Sequence, residues 1–516
     1  MKSFLTFFTF LIITSTVWGQ NEQLAKMYFD RGEFEKALQS YDELYKSQPG
    51  NTPYFQRLIE CHQQLEQYDA AEALLIDRLK RIKQPGMLVE LGYNYQLKKD
   101  PVNAEKYYAE AMDHVRERPS NVYSVANVFE RKVLIDKALE AYELAVSLDP
   151  KSRYNYQMGL LYGQLGNPDK MIEKFLDEVY ENPQNNILIQ NQFTRFLSND
   201  PDDVFAPQLR KALLVRAQKS QEIFWNQMLS WFFVQQRDFG KAFAQEKAIY
   251  KREPNNFDNI VNLAQMALEE KEDDTAREIL EFILENTQDL DLQIQAHYYL
   301  TDMRIDRALP KEYPALETHL NTLLKQYGIS PYTLNLQLLQ AQFYAFYLNK
   351  PEQGKTILQK ALQLPLNKFQ EAEAKMDLAD ILLFEEKYHQ ALVYYTQIEE
   401  DLKNDTMGHE ASLKAAQTSY YKADFDWALA QLKVLKSAST QLIANDALEL
   451  FLLINDNTVQ DSTQTALKKF AKADFMKYQN RNQEALKAFQ TLLKEYTEDP
   501  IVDITLYRIG QLFETT

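Results

Sequence analysis

The chain has 516 residues, of which 45% are apolar and 25% charged, with a net charge of −17. One hydrophobic core stops growing near about 250–300 residues, so a chain of this length must fold as several domains or as a repeat array. The composition excludes a disordered chain, and only 13 glycines argue against a turn-rich all-β protein. The acidic balance opposes binding to phosphate backbones or anionic lipid, and the basic groups stay short, as in Arg78, Lys80, Arg81 and Lys83.

In chain order, the first 19 residues stand apart. Lys2 gives a positive start, "FLTFFTFLII" (Phe4 to Ile13) an apolar run, and Val17 and Gly19 the small-residue positions of a cleavage site before Gln20. The run is shorter than the ~20 residues needed to span a bilayer, so the expectation is a secretory signal over residues 1–19, cleaved after Gly19. No cysteine lies near the cut, which excludes a lipid anchor at that site, and no later stretch is apolar enough to cross a membrane. The single cysteine, Cys61, falls inside a predicted helix and reads as a small buried hydrophobe.

The mature region is periodic. Ala37 with Tyr41 four residues on and Pro49 beyond, after the turn residue Gly32, returns as Ala104 with Tyr108, then Ala111 and Pro119, and again as Ala138 with Tyr142, then Ala145 and Pro150. Upstream of the later anchors lies a helix with a small residue and a ring: Gly92 with Tyr95, Ala126 with Phe129, Gly159 with Tyr162. This pattern resembles the tetratricopeptide repeat, a 34-residue helix–turn–helix unit, over most of the chain past the signal. The resemblance implies an all-α protein, an α-solenoid wound as a right-handed superhelix of about 11–12 units. The residue types follow from packing. Small residues let paired helices approach, rings fill the space between pairs, and prolines stop second helices.

The register places units near 18, 52, 85, 119 and 152, making residues 20–185 an N-terminal array. The spacing breaks over 186–222, where an irregular helical pair is expected, and returns over 223–300. Pro310, Pro314, Gly328 and Pro331 interrupt 301–333, which reads as a joint before a C-terminal array over 334–516 with a terminal half-unit near 503. Within that array, "YYKADFDWALAQLKVLKSASTQLIANDALELFLLINDN" (Tyr420 to Asn457) resembles a segment of uncharacterised exported tetratricopeptide proteins of Bacteroidota. That group has no assigned activity.

No catalytic, metal or cofactor motif emerges. The histidines His62, His114, His297, His319, His389 and His409 show no ligand spacing; His409-Glu410 opens like a zincin motif, but Leu413 stands where a second histidine is required. "GKT" at Gly354 to Thr356 lacks the upstream P-loop glycine, its place being taken by Asn349, and "GLLYGQLGN" (Gly159 to Asn167) lacks dinucleotide spacing. The acidic groups at 200–203, 271–274 and 455–462 lack the turn glycine and ligand number of a calcium loop. No pair stands out among the 74 acids as a hydrolase pair.

What remains is the inner groove that the resemblance assigns to fixed first-helix positions. Here these are Gln56, Arg57, Glu60 and Gln64; Tyr93 and Gln96; Tyr123, Asn127 and Arg131; Arg153, Tyr156 and Gln157. Rings, amides and arginines in this order suit an extended peptide or a partner's helix. They do not match the lysine/asparagine carboxylate clamp of co-chaperone repeats, because Val89 and Tyr93 occupy clamp positions. The expectation is a non-enzymatic, cofactor-free scaffold for a protein or peptide partner in the periplasm or at the outer membrane. The alternative is a glycan- or small-ligand-binding protein of outer-membrane nutrient uptake, although the lipidated cysteine and long loop insertions of such proteins are missing.

Overall fold

The computed structural model describes residues 21–199, 204–220, 222–254, 257–438, 440–458 and 464–514. The expected signal over 1–19 and the acidic group at 200–203 lie outside the described residues, as does half of 455–462. Among the described residues the secondary structure is helical, without a strand, and no helix is long and apolar enough to cross a membrane. The chain divides into two compact units, Met1–Arg237 and Asp238–Thr516.

The first unit is a run of helices joined by short turns. It begins with α1 (21–30) and α2 (Phe34–Ser47), followed by α3 (Thr52–Gln64) and α4 (Tyr68–Arg81). Next come α5 (Gly86–Leu97) with α6 (Pro101–Glu117), α7 (Val122–Arg131) with α8 (Ile135–Leu148), and α9 (Asn155–Gln164) with α10 (Pro168–Glu181). The stretch 186–222 contributes α11 (Asn186–Ser198) and α12 (Phe205–Lys219), and α13 (Ile223–Gln235) closes the unit. Helices pack on their sequence neighbours and also two ahead, α5 on α7, α6 on α8 and α10 on α12, which is the layering of a solenoid.

The second unit begins with α14 (Phe239–Tyr250), then α15 (Asp258–Glu269) and α16 (Asp273–Asn286). A longer pair follows, α17 (Leu290–Arg307) and α18 (Tyr313–Tyr327), and then α19 (Leu334–Gln342) and α20 (Pro351–Ala361). The prolines within 301–333 sit at helix starts, and Gly328 caps the end of α18. Pro310 and Pro331 open 3-10 turns, and Pro314 occupies the first turn of α18, where a missing N–H costs no hydrogen bond. The unit continues through α21 (Lys368–Phe384), α22 (Tyr388–Asp401), α23 (Thr406–Tyr421) and α24 (Phe425–Ala438). It ends with α25 (Gln441–Asp456), α26 (Thr465–Tyr478), α27 (Asn482–Glu495) and α28 (Ile501–Glu514).

One helix shows why these residues fold this way. In α7, Val122, Val125, Ala126 and Phe129 recur at i, i+3, i+4 and i+7, and all are buried. Phe129 meets the Tyr108 ring edge-on at 5.3 Å, joining α7 to the pair before it. The anchors Ala37, Tyr41, Ala104, Tyr108, Ala138 and Tyr142 are all buried. A Cβ on Gly92 would fall 2.6 Å from the Tyr108 ring, and one on Gly159 2.5 Å from the Phe175 ring, so both glycines are required for contact. Gly354 is the same case, with the Ala341 carbonyl 2.7 Å away, so it too is a close-packing position. Tyr95 and Tyr162 lie half-buried and donate their hydroxyls to Glu72 at 2.7 Å and to Glu143 at 2.6 Å. Cys61 is fully buried, and burial pushes its thiol up to about 12.

The turns inside the pairs repeat more regularly than their residues do. Gly32, Glu66, Lys99, Val133 and Gly166 all adopt positive φ, between 58° and 75°. In each turn the next amide closes a bond back to a carbonyl five residues earlier, as Leu134 N–H does to Phe129 at 2.8 Å and Asp100 N–H to Tyr95 at 2.9 Å. This double-bonded ending satisfies the last carbonyls of the first helix. Val133 is the costly member, because a β-branched side chain disfavours the left-handed region. It is 78% exposed, so its side chain gains little in return. Val133→Gly should raise stability by about 1 kcal/mol in urea unfolding followed by circular dichroism. An unchanged or lower midpoint would show that the turn is unstrained.

Candidate interaction surfaces

The inner-groove residues expected from the sequence lie on α3, α5, α7 and α9 or just before α9. Their side chains are less free than the sequence suggests. Arg57 pairs with Glu60 at 2.8 Å and lies over the Phe29 ring at 4.4 Å. Arg131 pairs with Glu90 at 3.2 Å, and Glu90 also takes Lys132 at 3.0 Å, whose ammonium sits 5.0 Å from the Tyr93 ring centroid. Arg153 donates to Asn182 at 2.8 Å. Gln96 accepts the Tyr108 hydroxyl at 2.8 Å and so ties the helix pair together. Tyr156 is half-buried with its ring 6.0 Å from Phe175, Gln56 and Gln157 are half-buried, and Gln64 and Asn127 are exposed.

Tyr123 is the most open ring of this row, 52% exposed, with its edge set against Tyr154 at 5.2 Å and Tyr142 at 6.4 Å. The structure therefore brings together Tyr93, Arg131 and their partners on α5 and α7, and separately Tyr123 with Tyr154. Gln56, Gln64 and Asn127 join neither group. The three arginines each already hold an acceptor, so the open feature of this surface is a tyrosine face.

A second surface, which the sequence reading did not single out, lies on the first helices of the second unit. A recess of about 280 Å³ opens between α17, α19, α21 and α23. Its apolar lining includes Leu338, Met376 and Met407, and its acids are Glu373, Asp377 and Glu410. Asp377 accepts both of its hydrogen bonds from the Gln342 amide, at 3.0 and 2.9 Å. The neighbouring Asp380 takes the Lys414 ammonium at 2.6 Å and the Tyr395 hydroxyl. A wider recess of about 630 Å³ shares Tyr298 and Asn335 with the first and continues past Tyr332 and Gln370.

Burial dominates the electrostatics here. It pushes the Asp377 carboxyl up to about 7, opposed by the Gln342 hydrogen bond and the Lys414 charge and helped by Asp380 and Glu373. Burial also raises Glu373, and it raises Tyr298 to about 12 with help from Asp302, Asp377 and Glu373. Folding thus favours protonated Asp377. Its contribution to stability is full below the usual 3.8 of the unfolded chain and is lost as pH rises through about 7. Asp377→Asn should therefore melt higher than the parent chain at pH 8, with the gap closing by pH 4. A variant less stable at pH 8 would show the ionised carboxylate to be a net stabiliser.

Buried helix faces conceal this surface in the sequence. Glu373 and Asp377 stand four apart on α21 among buried Ala372, Ala374, Met376 and Leu378, and Glu410 arrives from the next first helix. Acids placed at helical spacing on a helix buried over most of its circumference are the signal that could have flagged them. Among the described residues, no three His, Cys, Asp or Glu side chains lie together as a metal site requires.

Residues 28–85 match the tetratricopeptide repeat family. The match runs from α1 to the turn before α5. No curated protein matches the chain. Among solved structures, the chain is similar to Naa15/Naa10 bound to HypK-THB, at 12% identity over 96% of this chain and 78% of that one, with a TM-score of 0.27. It is also similar to the APC/C hetero-tetramer Cut9–Hcn1, at 13% identity over 84% and 96%, with a TM-score of 0.32. Yeast Tom70 gives 13% identity over 97% and 96%, with a TM-score of 0.31.

Proposed function

We propose that this chain is an exported helical-repeat scaffold that holds protein partners in the bacterial periplasm or at the outer membrane, without catalysis of its own. The observation that carries this reading is the repeat itself. Its small residues and rings are consumed in packing, which leaves the first-helix faces as the surfaces that differ from unit to unit. The tetratricopeptide match over residues 28–85 supports the repeat class. Lys2, the apolar run from Phe4 to Ile13, and Val17 with Gly19 support export, and the Tyr420 to Asn457 segment supports a source among exported Bacteroidota proteins. Tyr123, presented edge-on by Tyr142 and Tyr154, is the anchor in the first unit: a rigid ring held in place loses little entropy on binding.

Export is tested by fractionating cells and sequencing the mature N-terminus, which should begin at Gln20. The scaffold reading is tested by cross-linking in intact envelopes followed by mass spectrometry, comparing the parent chain with a Tyr123→Ala, Arg153→Ala variant. Defined cross-linked partners should be lost while the helical circular-dichroism spectrum is unchanged. An identical partner set would remove the groove assignment, and no reproducible partner in the parent would remove the scaffold reading.

A further inference from the structure

We infer that the acidic recess between α17, α19, α21 and α23 receives an arginine or lysine side chain from an extended segment of a protein partner, an inference that rests on the scaffold reading above. The recess has two chemistries in one cavity. Leu338, Met376 and Met407 give an apolar wall suited to the methylene stem of a long basic side chain. Glu373, Asp377 and Glu410 supply the carboxylates that charge-assisted hydrogen bonds require. The larger recess that continues past Asn335 toward Tyr332 and Gln370 leaves room for the backbone that carries the side chain.

These carboxylates lack a direct ion-pair partner among the described residues. Among the described residues, Glu373, Asp377 and Glu410 make no ion pair, and the hydrogen bonds to Asp377 come from a neutral amide. Lys414, the cation of this neighbourhood, donates to Asp380 instead. Glu373 and Asp377 are partly withdrawn from water while Glu410 is exposed, and the Lys414 charge reaches Asp377 only from beside Asp380, so a cation seated directly on these carboxylates offsets the cost of holding them. The net charge of −17 adds long-range attraction for a basic segment.

Binding should also depend on pH. The groups facing Asp377 are Tyr298 from α17, Gln342 from α19, Glu373 and Asp380 on its own helix, and Glu410 and Lys414 from α23; Tyr395 of α22 bonds to Asp380. Asp377 gains its charge as pH rises through about 7, and an arginine guest keeps its charge throughout, so affinity should rise between pH 6 and pH 8.

The full chain can be titrated with two fluorescent proline-rich decapeptide libraries, identical except that the central residue is arginine in one and citrulline, its neutral isostere, in the other. The arginine library should bind at least ten-fold more tightly. That preference should fall at least five-fold in Glu373→Gln, Asp377→Asn and in Glu373→Gln, Glu410→Gln, the second of which leaves the buried carboxyl untouched. Glu35→Gln, at an exposed acid of α2 in the first unit, should leave it unchanged. Equal binding of the two libraries, no binding of either, or a preference unaltered in both variants would overturn the inference. The scaffold reading has its own readout in envelope cross-linking, so cross-linked partners that persist alongside a failed titration would sink only the basic-side-chain assignment.

Discussion

The close approach of two helices within a pair is the constraint on which the rest depends. Gly92 lies against the Tyr108 ring and Gly159 against the Phe175 ring, so the ring of the second helix fills the space that a side chain on the first would have taken. The same rings then reach the following pair, as Tyr108 does to Phe129 and Phe175 to Phe193. Each ring therefore serves two interfaces, one within its pair and one along the stack. A pair removed from its neighbours would keep only the first and expose the second to water, which makes folding of the array mutually dependent.

Much of this was legible in the sequence. Ala37, Ala104 and Ala138 with their rings at i+4 identify the buried seam because packing at a helix crossing tolerates few residue types. Prolines were ambiguous, since the same residue ends one helix and opens the next; Pro310, Pro314 and Pro331 read as interruptions but sit at starts.

The surfaces were less legible, for two physical reasons. A register identifies which residues face inward but not which of them are already engaged, and Arg57, Arg131 and Arg153 all spend their donors on neighbours. Conversely, the carboxylates of the second unit acquire their character from surroundings assembled out of four helices, and no local spacing records that burial. Asp377 is an ordinary helix-surface acid by sequence and a desolvated one by position.

The turns explain why the repeat fades from view along the chain. Glycine occupies the left-handed position at Gly32 and Gly166, but Glu66, Lys99, Val133, Lys271, Glu386 and Ala423 hold comparable dihedral angles in other turns. Backbone bonds maintain this geometry, so it does not depend on a particular side chain. The repeat is written there in torsion angles rather than in letters. Comparison by residue type recovers one window of the array, residues 28–85, while the same backbone turn recurs as far as Asn480.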